Sequence, residues 1–253
     1  MATWAAMAKQ RVMSTGTFAY ILVWMSFPVF NLAINALIYR DDAALRDYAI
    51  VGGAMLAFMF SMIFNAGQIL DEERYRGTLG NLFLAPCPRY AWLGGMQVVA
   101  LVEAFVTGFL TLLAGKVIFG ITFDVNAPAL VLSLVLFLPC LWAFSMVHGA
   151  IGVAVRGANE LSNLIFPVVI LLAGVMYPVA LLPDWLRVPA RMLPFGYGIE
   201  AIYASSVRGE GIADLWRSLL PLAGFAVVLP LLGIAAFDWL ERLSRQRGEL
   251  ELA

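Results

Sequence analysis

Six stretches of this chain stay apolar for twenty residues or more, and nothing else in it limits the fold as strongly. They run Phe18–Ile38, Tyr48–Leu70, Trp92–Ile118, Pro128–Val155, Leu161–Leu182 and Leu215–Phe237. A helix needs about 20 apolar residues to cross the hydrocarbon core of a bilayer. Water is absent there, so a run of this kind satisfies its own backbone as a helix. The expected fold is all-α, a polytopic membrane protein with six transmembrane helices. Composition agrees: 62% of the 253 residues are hydrophobic and 13% are charged, against about 25% charged in soluble domains. That leaves too little polar surface to cover a soluble core. The net charge of −1 argues against a nucleic-acid groove, which needs a basic excess. The expected surroundings are lipid bilayer, with no nucleic acid.

The whole chain, 1–253, reads as one transmembrane domain. The start Lys9-Gln10-Arg11 leads into the first run without a small-residue cleavage site, so that run reads as a retained span. Cys87 is expected in a loop and Cys140 inside a span, which argues against a disulfide. Orientation rests on Lys and Arg near the span ends. With the N-terminus cytoplasmic, nine fall inside (Lys9, Arg11, Arg74, Arg76, Arg89, Arg156, Arg242, Arg245 and Arg247) and seven outside. Four of those seven, Arg187, Arg191, Arg208 and Arg217, lie in or just after one long outer segment. Without them the balance favours both termini inside, with a tail at 238–253 in the cytoplasm.

Between the second and third runs lies the stretch from Asp71 to Arg89. It opens with five charged residues in six, then becomes amphipathic, with Leu79, Leu82 and Phe83 on one helical face. Pro86 and Pro88 stop it before the next span. A short helix lying on the membrane surface suits a soluble partner; a plain solvated loop is the alternative.

These residues resemble a family. Glu72-Glu73-Arg74-Tyr75-Arg76-Gly77-Thr78-Leu79, then Pro86 and Arg89, are similar to the E-R-x-x-G-T-L-E…P-x-x-R loop of the type-2 ABC exporter permeases, which include bacterial drug, antibiotic, polysaccharide and lipid exporters. A second match is Phe166-Pro167, Gly174-Val175-Met176-Tyr177-Pro178, Leu182-Pro183-Asp184-Trp185-Leu186 and Leu193-Pro194. It resembles the family's F-P…S-G-V-x-x-P…L-P-x-W-L…x-P pattern around the fifth span. Ala173 stands where the family has serine before the glycine, and Gly80 where it has an acid after G-T-L.

The resemblance implies the permease subunit of an ATP-driven exporter in the bacterial inner (cytoplasmic) membrane. Such a subunit is not an enzyme by itself. Two copies of an ABC ATPase subunit bind ATP and Mg, and a second permease, identical or related, completes the pore. No G-x-x-x-x-G-K-[ST] phosphate loop occurs in this chain; Gly115-Lys116 is followed by Val117 and lacks the upstream glycine. The loop at 71–91 would be the coupling helix. Glu72, Glu73, Arg74 and Arg76 would give its polar contacts, Leu79 and Phe83 its apolar ones, with Gly77 and Thr78 completing the motif. Residues 1–17 resemble the family's interfacial connecting helix, with Trp4, Ala8 and Val12 along one face.

Within the spans, Met55, Met59 and Met62 recur at helical spacing. They suit either an adaptable binding surface or ordinary bundle packing. Asn31 and Asn35 share a face and either line a path or join two helices. By analogy with the family, Phe166, Ile170 and Met176 lie near a substrate cavity at the dimer interface. Glu103, inside the third span, costs about 2.5–3.5 kcal/mol at a bilayer centre, so it needs a polar partner or serves as a proton site. His148, the single histidine, reads as a helix–helix hydrogen bond, because one histidine makes no metal site.

The outer segment 183–214 is long and semi-apolar. Pro183, Pro189 and Pro194 cut it into short pieces, with Trp185 and Tyr197 as interfacial anchors. Short helices re-entering the outer leaflet would explain it, and irregular backbone at that depth is buried in protein or faces water. Pro178, Trp185, Pro194, Tyr197 and Glu200 are the outer-gate candidates; a structural cap is the alternative. The expected cargo is an amphipathic drug, natural product or lipid-like molecule, with a polysaccharide or lipid-linked glycan as the alternative. An ion-coupled carrier using Glu103 is the reading from another class, although the paired repeats of such carriers are not visible.

Overall fold

The computed structural model describes residues 30, 32–35, 37–39, 41–75, 77, 89–154 and 158–246. Among the described residues there is no strand. Seven α-helices follow one another: α1 (Ala43–Tyr75), α2 (Arg89–Phe119), α3 (Ala127–Ala154), α4 (Ala158–Ala173), α5 (Asp184–Arg191), α6 (Phe195–Ser206) and α7 (Trp216–Gln246), with a 3₁₀ turn at Val179–Leu181 before α5. Four of them, α1, α2, α3 and α7, are long and apolar enough to cross a membrane. They coincide with the second, third, fourth and sixth expected spans. The first expected span, Phe18–Ile38, lies mostly outside the described residues; within it, residues 30, 32–35 and 37–38 are helical.

Two expected boundaries are corrected. The fifth run, Leu161–Leu182, is not one helix. The helix α4, described from Ala158, stops at Ala173. Gly174 follows with φ 66°, a left-handed conformation that ends helices and that a side chain disfavours. Pro178 then prevents resumption. At the other end of α1, the helix does not stop at Leu70. It continues through the charged residues to Tyr75, and Gly77 lies beyond it with φ 65°. Charge does not break a helix once it has left the hydrocarbon, whereas a left-handed glycine does.

The helix α1 is the central element. Of its membrane-length stretch Ala43–Met62, 67% is buried within the chain, against 28% for α2 and 17% for α7. It packs on α2, α3 and α4, while α7 packs along α3, and α6 lies across α3 and α7. Small residues let these backbones approach: a Cβ added at Gly233 of α7 would stand 3.1 Å from the Ala143 carbonyl oxygen of α3. Aromatic edges fill the remaining space, as in Phe58–Phe105 (4.9 Å between centroids) and Phe144–Phe195 (5.3 Å).

Among the described residues, buried polar groups are few and largely satisfied. Thr111, Ser133 and Ser205 return their hydroxyls to carbonyls one turn back on their own helices, at 2.7–2.8 Å. One polar relay links three helices: Gln97 Nε2 of α2 donates to Ser145 Oγ of α3 (2.6 Å), which donates to the Met62 carbonyl of α1 (3.0 Å). Interhelical bonds of this kind contribute about 0.6 kcal/mol each in a membrane, so this one sets register more than stability.

Candidate functional site

The segment between α4 and α6 organises the region of interest. After Gly174 the chain runs irregularly to Pro178, makes the 3₁₀ turn, then starts α5 behind Pro183 and α6 behind Pro194. Proline suits both helix starts, because its fixed φ is that of a helix and its missing N–H has no partner to lose. The helix α6 is buried over ten of its twelve residues. By contrast α5 is peripheral. Trp185 and Val188 of α5 and Met192 just after it are exposed at i, i+3, i+7 spacing. On α5, Arg187 donates to the Ala180 and Leu182 carbonyls (3.0 and 2.8 Å) and pairs with Asp184 (3.0 Å).

The irregular segment is pressed against α1 at one point. A Cβ at Gly52 would lie 1.7 Å from the Val175 carbonyl oxygen, so only glycine fits there. Four residues earlier, the buried Tyr48 hydroxyl donates to the Gly174 carbonyl at 3.0 Å. Gly52 and Tyr48 therefore share the face of α1 that holds the turn after α4.

Two cavities lie on either side of this turn. The first, about 540 Å³, is a groove lined by Phe60 of α1, by Asn163, Phe166, Pro167, Ile170 and Leu171 of α4, and by Met176 and Tyr177. Phe60 meets Phe166 edge to face at 5.4 Å. The Tyr177 hydroxyl is spent on the Leu171 carbonyl at 3.1 Å. Among the described residues of the lining, Asn163 is then the one side chain with an amide or charge to offer. The second cavity, about 480 Å³, lies beside the N-terminal end of α1. Tyr48, Pro178, Tyr197, Glu200, Tyr203 and Arg208 are among its lining residues. Tyr48 and Tyr203 pack edge to face at 5.0 Å, and Arg208 bonds Glu200 at 3.1 Å. Burial raises the Tyr203 hydroxyl above the usual tyrosine range; Arg208 opposes this, while Asp47, Glu200 and Asp42 add to it. Tyr203 therefore stays a neutral donor, reaching the Ala44 carbonyl at 3.5 Å.

The sequence-derived candidates divide accordingly. Phe166, Ile170 and Met176 come together in the groove. Pro178, Tyr197 and Glu200 come together in the second cavity. Trp185 stands apart from that group and is exposed, and Pro194 is buried at the start of α6. Met55, Met59 and Met62 are at most 4% exposed and belong to the core. They line neither of these two cavities. Asn35 is buried and Asn31 lies outside the described residues. Glu72, Glu73 and Arg74 occupy the last turn of α1 and Gly77 is exposed beyond it, whereas Arg76, Thr78, Leu79 and Phe83 lie outside the described residues. His148 is buried in α3, and Glu103 is half-buried in α2. Most other lining residues were not among the candidates, notably Tyr48, Tyr203 and Arg208 in the second cavity and Phe60 and Asn163 in the groove.

A family model described as ABC-2 family transporter protein matches residues 17–235. The chain belongs to this ABC-2 transporter permease family. It is therefore a multi-pass membrane protein and a permease subunit of an ABC transporter. Members of the family generally work with an ABC ATPase. No curated protein matches the chain. The matched span includes α1 to α6 and most of α7, so both cavities lie within it.

Proposed function

We propose that this permease exports an apolar amphiphile, a drug-like or lipid-like molecule, through the groove between α1 and α4. The observation that carries this reading is the groove's lining. Phe60, Phe166, Pro167, Ile170, Leu171 and Met176 present carbon, and the Tyr177 hydroxyl is already bonded within the chain. A volume of about 540 Å³ suits a small organic molecule. A glycan would desolvate many hydroxyls against this wall without return, which costs about 1–3 kcal/mol for each one left unpaired. Such a wall favours the amphiphile over a polysaccharide or lipid-linked glycan.

The fuller arrangement follows the family. Six spans place both termini in the cytoplasm, and the stripe of Trp185 and Val188 on α5, continued by Met192 at its end, rests in the outer leaflet. A second permease faces this one. Two ATPase subunits bind ATP and Mg, and they engage the segment from Glu72 to Phe83, which transmits their closure to α1. Because α1 is a single helix from Ala43 to Tyr75, a movement at its charged end reaches Phe60 and Gly52 along a rigid element. Alternating access then exposes the groove to the two sides in turn. Glu103 has no part in powering this cycle.

The test is reconstitution of the permease with its ATPase partner in proteoliposomes. An uncharged amphiphilic dye stimulates ATP hydrolysis and is transported toward the face opposite the ATPase. Phe166→Ala lowers that stimulation about tenfold, the loss expected for one well-packed aromatic contact of about 1.4 kcal/mol. Stimulation by oligosaccharide or glycan lipid, with no response to amphiphiles, overturns the cargo reading. Transport driven by a proton gradient without ATP overturns the whole.

A further inference from the structure

Arg208 fills a position in the second cavity that a foreign cation would suit. Its guanidinium lies over the Tyr203 ring, 5.3 Å from the centroid. Its Nη2 meets Glu200 Oε1 at 3.1 Å and its Nε meets Glu210 Oε1 at 2.8 Å. An aromatic face beside a carboxylate is a common way for proteins to hold an organic cation. Behind the guanidinium lie about 480 Å³ of space, walled by Tyr48, Tyr197, Leu45, Pro178 and Val179. That volume takes a ligand with an apolar body.

We propose that this cavity binds cationic amphiphiles, an alkylguanidinium or alkylammonium, and that Arg208 is their built-in competitor. The ligand's charge takes Glu200 and the face of Tyr203, while Arg208 withdraws to Glu210 and the ligand's chain enters the cavity.

Three features favour a cation over an anion. The Glu210 contact is the shorter of the two, so Arg208 keeps a partner when it releases Glu200. Three acids, Asp42, Asp47 and Glu200, act on the Tyr203 hydroxyl against one base, Arg208, and the pairing of Arg46 with Asp47 at 3.4 Å leaves Asp42 and Glu200 to a ligand once Arg208 withdraws. Arg191 is the opposing charge, and it is exposed at the cavity's α5 side, where water screens it. The walls also offer tyrosine rings, which attract cations and not anions. This site is separate from the groove between α1 and α4 and does not depend on what that groove carries.

The test titrates the purified full-length chain in nanodiscs with hexylguanidinium by calorimetry. Removing the competitor in Arg208→Gln tightens binding about three- to fivefold, the range of a partly exposed ion pair. Glu200→Gln weakens it by a similar factor. Glu210→Gln also weakens it, because Arg208 then clings to Glu200 alone. If Arg208→Gln does not fold, Arg208→Lys and Glu210→Gln carry the test: the first binds no more weakly than the parent, the second more weakly. The reverse sign, with binding lost in Arg208→Gln, overturns the proposal. So does binding of hexyl phosphate that depends on Arg208, which would make the cavity an anion site. Absence of hexylguanidinium binding to the parent and to Arg208→Gln alike also overturns it.

Discussion

One hydroxyl holds the turn after α4 to α1. The Tyr48 oxygen donates to the Gly174 carbonyl at 3.0 Å, in a buried position. Gly174 has just left the helix, so this carbonyl takes part in no helical ladder of its own beyond the turn. In Tyr48→Phe the ring keeps its edge contact with Tyr203, but the carbonyl loses its partner. An unsatisfied buried acceptor costs about 1–3 kcal/mol. We expect thermal unfolding in detergent to show a loss near the lower end, because lipid-facing references find substitute partners. Tyr203→Phe is the control. Its hydroxyl reaches the Ala44 carbonyl at 3.5 Å, the limit for a hydrogen bond, so that change should be nearly neutral. Equal losses in the two variants would show that the Tyr48 bond has no special role.

At the scale of elements, Gly52 decides how closely the turn and α1 approach. A methyl group there would sit 1.7 Å from the Val175 oxygen and 2.8 Å from its carbon. Both obstacles are backbone, so no side-chain rotation relieves the overlap. Gly52→Ala therefore separates α1 from the turn, at a cost of about 1–3 kcal/mol for overpacking, and shifts Met176 and Tyr177 in the groove. Gly224 of α7 has open space around a built Cβ. Gly224→Ala should gain up to about 1 kcal/mol from helix propensity. Opposite signs for these two changes in a melting experiment check the packing; the same sign would refute it. The elements also differ in how legible they were. Hydropathy located α1, α2, α3 and α7, because each is one uninterrupted apolar run. It failed at Ala173, because Val175, Met176, Val179, Leu181 and Leu182 are as apolar as the helix before them. The break is written in Gly174 and Pro178, which hydropathy averages away. The groove was partly legible, since Phe166, Ile170 and Met176 sit in a recognisable motif. Phe60 belongs to another helix and carries no motif. The Tyr48–Gly174 and Tyr203–Ala44 contacts join residues 126 and 159 positions apart, and no local pattern announces such pairs.

For the whole molecule, the question is which apolar faces meet lipid and which meet protein. The outward residues of α7, among them Leu220, Val227 and Leu231, are 65–68% exposed, and this helix has the least buried membrane-length stretch of the four. On α4, Leu164, Val168 and Leu171 are 71%, 55% and 44% exposed at i, i+4, i+7 spacing. The two faces look alike by composition, but α4 is the poorer lipid neighbour. Its exposed Leu171 also lines the groove, which is open beside it. A lipid-filled groove would carry no directed traffic, whereas a second permease laid against Leu164 and Val168 would close it into a path. The face of α4 is therefore the expected contact between two copies, and α7 faces lipid. Single cysteines at Leu164 and at Leu231, each in a chain with Cys87 replaced by serine, test this; Cys140 stays because it is buried. Oxidation in membranes should link Leu164→Cys chains into dimers and leave Leu231→Cys chains monomeric. The opposite pattern would place the pairing surface on α7 and leave the groove facing lipid. Failure of both to link under conditions where the ATPase complex forms would exclude two identical permeases meeting through α4.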